Sequence, residues 1–162
     1  MKIKLFSRVV PFVVLAGSVL FTSCSKDNSN DNNNPGRTYT ISGSGNGAQV
    51  VPIVSTTATS NLTGAYNSST NVLQYNITWT GLATAANGVR FYGPAAAGAN
   101  ATGSSQFELG ITTPGATGTA AGSITLGAQQ ETDLLNGNWY YTISNATHAT
   151  GEVRGQVVTA VQ

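Results

Sequence analysis

The sequence predicts an all-β domain built as a two-sheet sandwich with one short helix. Three observations carry this. Gly, Thr, Ser, Asn and Ala dominate, with β-branched and aromatic residues in short bursts between turn-forming stretches. The best of those bursts alternates apolar and polar residues with a period of two. One stretch, "LGAQQETDLLNG", departs from that pattern and is rich in helix formers.

Taken in order, "TYTIS" puts Tyr39 and Ile41 on one face, and "TATSNLTGAY" does the same for Leu62 and Tyr66. The clearest strand is "VLQYNITWT", with Leu73, Tyr75, Ile77 and Trp79 inward and Gln74, Asn76, Thr78 and Thr80 outward. "NSSTN" joins these two runs as a hairpin connection. In "GVRFYGP" the alternation sends Val89 and Phe91 to one side and Arg90 and Tyr92 to the other, just before a Gly-Pro breaker. "QFELGI" turns Phe107, Leu109 and Ile111 inward and Glu108 outward, and "GTAAGSITL" turns Ile124 and Leu126 inward. The helix is expected from Ala128 to Leu135, ending at a left-handed cap at Asn136-Gly137 and plugging one end of the sandwich. "NWYYTIS" places Trp139, Tyr141 and Ile143 inward, with Tyr140, Thr142 and Ser144 outward. "GEVRGQVV" places Val153 and Val157 inward, with Glu152, Arg154 and Gln156 outward.

The first part of the chain reads as an address rather than fold. Lys2, Lys4 and Arg8 precede the apolar run "VVPFVVLAGSVLF", which ends at Thr22-Ser23-Cys24. A basic start, a short apolar core and small residues before a cut are the parts of a secretory signal. The run falls short of the roughly 20 apolar residues a bilayer-spanning helix needs. "FTSC" resembles the lipobox of bacterial lipoproteins, in which the cysteine is lipidated and becomes the mature N-terminus. Cys24 is the only cysteine, so no internal disulfide can form, and lipidation gives the lone thiol a purpose. Residues 1–23 are therefore expected to be a lipoprotein signal and residues 24–37, "CSKDNSNDNNNPGR", an Asn-rich tether without apolar anchors. Lys26-Asp27 resembles the surface-export signals of Bacteroidetes lipoproteins. Residues 38–162 remain for a single domain large enough to bury a core.

From Cys24 onward four cationic side chains (Lys26, Arg37, Arg90, Arg154) face six acidic ones (Asp27, Asp31, Glu108, Glu131, Asp133, Glu152), a net charge of −2. There is no basic patch, which argues against a nucleic-acid partner. No phosphate-cradling loop, nucleophile elbow or metal-finger spacing is present.

Five runs in the same order resemble the CHRD domain, the family named after chordin: "SGSGNGAQVVP", "VLQYNITWTGL", "YGPAAAGANA", "LGAQQETDLLNGNWYYTIS" and "GEVRGQV". The resemblance spans about Tyr39 to Val158 and implies a Greek-key β-sandwich of immunoglobulin or superoxide-dismutase-like character. In chordin such domains sit in an extracellular antagonist of growth factors, and bacterial members are mostly secreted or lipid-anchored. The family turn usually carries two histidines where this chain has Arg90 and Tyr92, and another histidine where it has Ser144. Three imidazoles on one face suit a transition metal. A guanidinium offers no lone pair, and Tyr92 and Ser144 would need deprotonation. The resemblance thus implies a site whose ligands have been exchanged, so no metal ligand, cofactor or catalytic residue is assigned.

Arg90, Tyr92, Tyr140 and Ser144 are the candidate interaction face, Arg and Tyr being favoured at interface centres. The plain alternative has Arg90 stacked on an aromatic ring or paired with an outward glutamate, holding the face in register. Glu152 and Arg154 read as a charge pair on one strand, Glu131 and Asp133 as solvated helix carboxylates, and His148, the sole histidine, as an exposed loop residue. The asparagines of the five Asn-x-Ser/Thr triplets (Asn61, Asn67, Asn76, Asn100, Asn145) reflect composition. The expected protein is a lipid-anchored component of the bacterial envelope, at the outer membrane or cell surface. It is not expected to be an enzyme and acts as a binding module for an envelope or extracellular protein or glycan. The alternatives are a metal or redox protein of dismutase-like geometry and an inert spacer.

Overall fold

The computed structural model describes residues 36–102 and 106–162. The expected signal segment, Cys24 and nearly all of the expected tether lie outside them. The described residues form one compact unit, and its buried core residues all fall between Ile41 and Val157. The described unit thus carries its own hydrophobic core, as an independent domain does.

The described domain is all-β with one short helix. Its strands are β1 (Thr38–Asn46), β2 (Thr59–Asn67), β3 (Val72–Thr80), β4 (Ala86–Tyr92), β5 (Phe107–Leu109), β6 (Gly118–Thr125), β7 (Tyr140–Asn145), β8 (Val153–Gln156) and β9 (Val158–Val161), and α1 spans Ala128–Leu135 between β6 and β7. All pairings are antiparallel. Where two packed sheets were expected, the strands instead follow one hydrogen-bonded path, β5-β4-β7-β8-β1-β2-β3-β6. The ends of the path nearly meet, because the chain beyond β5 bonds to β6 through Thr113 and Thr119. The result is a nearly closed barrel. Two neighbouring segments share β1: β8 takes Gly45 and Asn46, while β9 takes Tyr39 to Ser42. The chain steps from one to the other at Val157, whose N–H bonds to the Trp139 carbonyl.

The interior collects the residues that the two-residue alternation assigns to it. Leu73, Tyr75, Ile77 and Trp79 are buried and the four residues between and after them are exposed. Val89, Phe91, Tyr141, Ile143 and Val153 line the β4-β7-β8 side and are fully buried. Rings from opposite parts of the path meet across the barrel: Tyr75 stands edge-on to Phe91 at 5.8 Å, and Phe91 and Phe107 both pack on Trp139. Offset and edge-on contacts of this kind suit the ring quadrupole. The Tyr141 ring needs glycine beneath it, since a Cβ on Gly155 would lie 2.6 Å from the ring. In return the Tyr141 hydroxyl pairs with Ser60 Oγ at 2.9 Å. Burial pushes its pKa up to about 12, with the Ser60 bond working the other way.

The turns follow their local chemistry. In the β2–β3 hairpin Asn67 Oδ1 accepts from the N–H groups of Ser69 and Thr70, and Asn71 takes a left-handed conformation. The helix occupies the span predicted for it. Gly137, at φ +72°, lets its own N–H and that of Asn138 reach back to the carbonyls of Leu134 and Asp133, a Schellman close. Leu134 points into the core. Glu131 is half-buried rather than solvated, and with burial as the larger cause it raises the pKa of the Tyr66 hydroxyl.

Candidate functional site

The outer face of β4, β7 and β8 carries the residues singled out from sequence. Register sets them in rows: Glu108–Arg90–Thr142–Arg154 across β5-β4-β7-β8, and Tyr92–Tyr140–Gln156 one pair further along. Arg90 Nη2 donates to Glu108 Oε1 at 2.8 Å, an ion pair whose glutamate is mostly exposed. Its Nη1 lies 3.4 Å from Ser144 Oγ. Tyr92 stacks on Tyr140, with centroids 5.3 Å apart and planes 10° apart. The Arg154 guanidinium covers the same Tyr140 ring, its Cζ 3.7 Å from the centroid. The four candidate residues thus fall into two groups: Arg90 with Ser144, and Tyr92 with Tyr140.

The parity of these positions is as predicted, but their exposure is not. Tyr140, Thr142, Ser144, Glu152 and Arg154 were expected on an open face and are all buried. Two loops cover Tyr140 and Arg154. After the Gly93-Pro94 turn, the segment "AAAGANA" folds back across β7 and β8. Ala95 N–H bonds to the Asn138 carbonyl, and Ala101 N–H bonds to the Tyr140 hydroxyl. Arg154 donates to Ala99 O at 2.6 Å and Asn100 Oδ1 at 3.3 Å. The second loop follows β1. A 3-10 turn, Gly47–Gln49, leads into Val50–Val54, and Asn100 Nδ2 donates to the Val51 carbonyl to join the two covers.

Glu152 and Arg154 are not a charge pair. Glu152 is buried as an anion held by neutral donors: Thr56 Oγ1 at 2.6 Å, the Ala83 N–H at 3.0 Å, and Asn145 Nδ2. Burial works to raise its pKa. The bonds from Thr56, Ala83 and Asn145, with His148 nearby, outweigh burial and hold the carboxyl below its ordinary range. Asn145 also accepts from the N–H groups of Thr147 and His148, so His148 sits half-buried in a capped turn rather than in an open loop. This cluster is a clasp between three loops and β7.

Between the covering loops lies a cleft of about 480 Å³, lined by Ala48, Val50–Ile53, Ala97, Gly98, Gln49, Gln156 and Arg154. Its rim is apolar and open: Val51 is 41% exposed and Ile53 73%. Arg154, at 2% exposure, lines both this cleft and a neighbouring depression that reaches Tyr92 and Thr150. Sequence reasoning missed this feature. Its one local signal was the apolar run "VVPIV", which has no strand alternation and contains a proline, and so marks a loop with greasy side chains that no strand face would absorb.

The metal implied by dismutase-like geometry does not fit the donors present. Arg90 and Ser144 come together, but a guanidinium has no lone pair, and Tyr92 is committed to its stack. Among the described residues no three His, Cys, Asp or Glu side chains converge.

No curated protein and no solved structure matches this chain. The CHRD domain profile matches residues 41–157, from the middle of β1 to the end of β8 and through both covering loops. On that match the chain belongs to the CHRD domain family.

Proposed function

We propose that this protein is a lipid-anchored component of the bacterial envelope whose CHRD domain is a non-catalytic binding module for an envelope or extracellular protein or glycan. The observation that carries the binding reading is the loop-built cleft with an aliphatic rim and a buried cation beside it. Concave, mostly apolar sites with a few polar groups are the usual form of ligand pockets, and this one lies within their usual size range of roughly 300–1,000 Å³. The polarity of β1 supports display. The chain enters the domain at Thr38, and the cleft loop leaves from Asn46, eight residues on and about 26 Å away at roughly 3.3 Å per residue. An upstream anchor therefore leaves the cleft end clear. No described helix is long and apolar enough to cross a membrane. Anchoring thus rests on the "FTSC" motif and Cys24.

Two measurements test this. Cys24→Ser is expected to move the protein from the membrane to the soluble fraction without changing the urea midpoint of the domain; a cleaved variant that stays membrane-bound refutes the anchor. With residues 33–162 as bait, envelope extract is expected to yield a specific component that the Ile53→Asp variant loses. Retention of nothing favours an inert spacer.

A further inference from the structure

Arg154 is an unusual residue to find buried without a counter-ion. Its guanidinium has five N–H donors. Among the described residues two neutral acceptors, Ala99 O and Asn100 Oδ1, account for two of them, and one face is spent on Tyr140. The one ion pair among the described residues is Arg90–Glu108, and it does not involve Arg154. The nearest acid in sequence, Glu152, is held by Thr56, Ala83 and Asn145 instead. A buried charge without an opposite partner is costly, and an anion arriving beside it offsets that cost. Arg154 lines the cleft whose rim holds Val51 and Ile53, two of the four large hydrophobic residues exposed among those described. Charge and grease thus sit at opposite depths of one cavity.

Building on the binding reading above, we infer that the cleft takes an aliphatic carboxylate, its head on Arg154 and its hydrocarbon along Val51 and Ile53. A planar guanidinium fork matches a carboxylate in two parallel bonds, which favours this anion over a spherical one. The same chemistry is offered by a free fatty acid or by the C-terminal residue of an aliphatic peptide. The cavity volume accommodates a medium chain or one or two residues.

The test is calorimetric titration of residues 33–162 with octanoate, octanamide, N-acetyl-Ala-Leu and its C-terminal amide, with the Arg154 Nε–H followed by NMR. Octanoate or N-acetyl-Ala-Leu is expected to bind saturably and at least tenfold more tightly than its uncharged counterpart, and to shift the Arg154 Nε–H resonance. Whichever of the two binds more tightly identifies the source of the carboxylate. Ile53→Asp sits at an exposed position and so leaves the thermal midpoint unchanged; it is expected to weaken binding at least tenfold. The inference is overturned if octanamide matches octanoate, if Arg154 does not respond, or if neither carboxylate saturates at millimolar concentration. In that last case, loss of the envelope component by Ile53→Asp still upholds the cleft as a binding site and rejects only the ligand class. Failure of both rejects the cleft itself.

Discussion

Replacing Glu152 with Gln isolates the buried carboxylate clasp. The carboxylate is 1% exposed, and its two oxygens collect the Thr56 hydroxyl, the Ala83 N–H and the Asn145 amide. Gln keeps the shape and one acceptor oxygen, but turns an N–H₂ group toward at least one of those donors. A buried donor left unpaired costs about 1–3 kcal/mol, and each remaining bond drops from charge-assisted to neutral strength, losing about 1 kcal/mol more. The structure thus sets the loss at about 3–5 kcal/mol at pH 7. Urea unfolding of residues 33–162 reads it as a lower midpoint at unchanged slope. The pH dependence supplies the sign. The folded pKa of Glu152 is depressed, so its contribution is present above the ordinary carboxylate range and is lost as pH falls through the folded value. The gap between wild type and Glu152→Gln is therefore expected to narrow on acidification. A loss below about 1 kcal/mol at pH 7, or a gap that does not change with pH, refutes the clasp.

Two further outcomes follow from the core. Trp79 is 3% exposed and donates its indole N–H to the Gly115 carbonyl, so Trp79→Ala is expected to cost about 3–5 kcal/mol in the same urea assay; a loss under about 1 kcal/mol would mean the indole does not fill the barrel. At high pH, the Tyr141 pKa of about 12 against an ordinary value of 10 favours the neutral hydroxyl in the fold, so its contribution is intact below pH 10 and is lost as pH rises through 12. Tyr141→Phe gives up the Ser60 bond, about 1 kcal/mol at pH 7. It is also expected to flatten the alkaline decline, with the raised Tyr66 still contributing in the same direction; an unchanged decline refutes this assignment.

Much of the fold was legible because the information is local. Strand alternation is a property of adjacent residues, and it identified the buried set of "VLQYNITWT", the inward Val89 and Phe91, and the pairing of rings on Trp139 and Tyr141 with the interior. The helix span and its close at Gly137 follow from helix formers meeting a residue free to take positive φ. The single continuous path was not legible. Whether a strand's edge is paired depends on partners far along the chain, and here the Thr113–Thr119 bridge and the step at Val157 join what looked like two sheets.

The candidate face shows the same division more sharply. Counting along the strands is enough to turn Arg90, Tyr92, Tyr140, Ser144 and Arg154 away from the core, since side chains alternate along a strand. Which of them meet solvent is a matter of long-range packing. Burial depends on what chain segment returns over the face, and two loops distant in sequence, Val50–Ile53 and Ala95–Ala101, close over Tyr140 and Arg154. Alternation says which way a residue points, and only the packed chain says whether water or protein waits there.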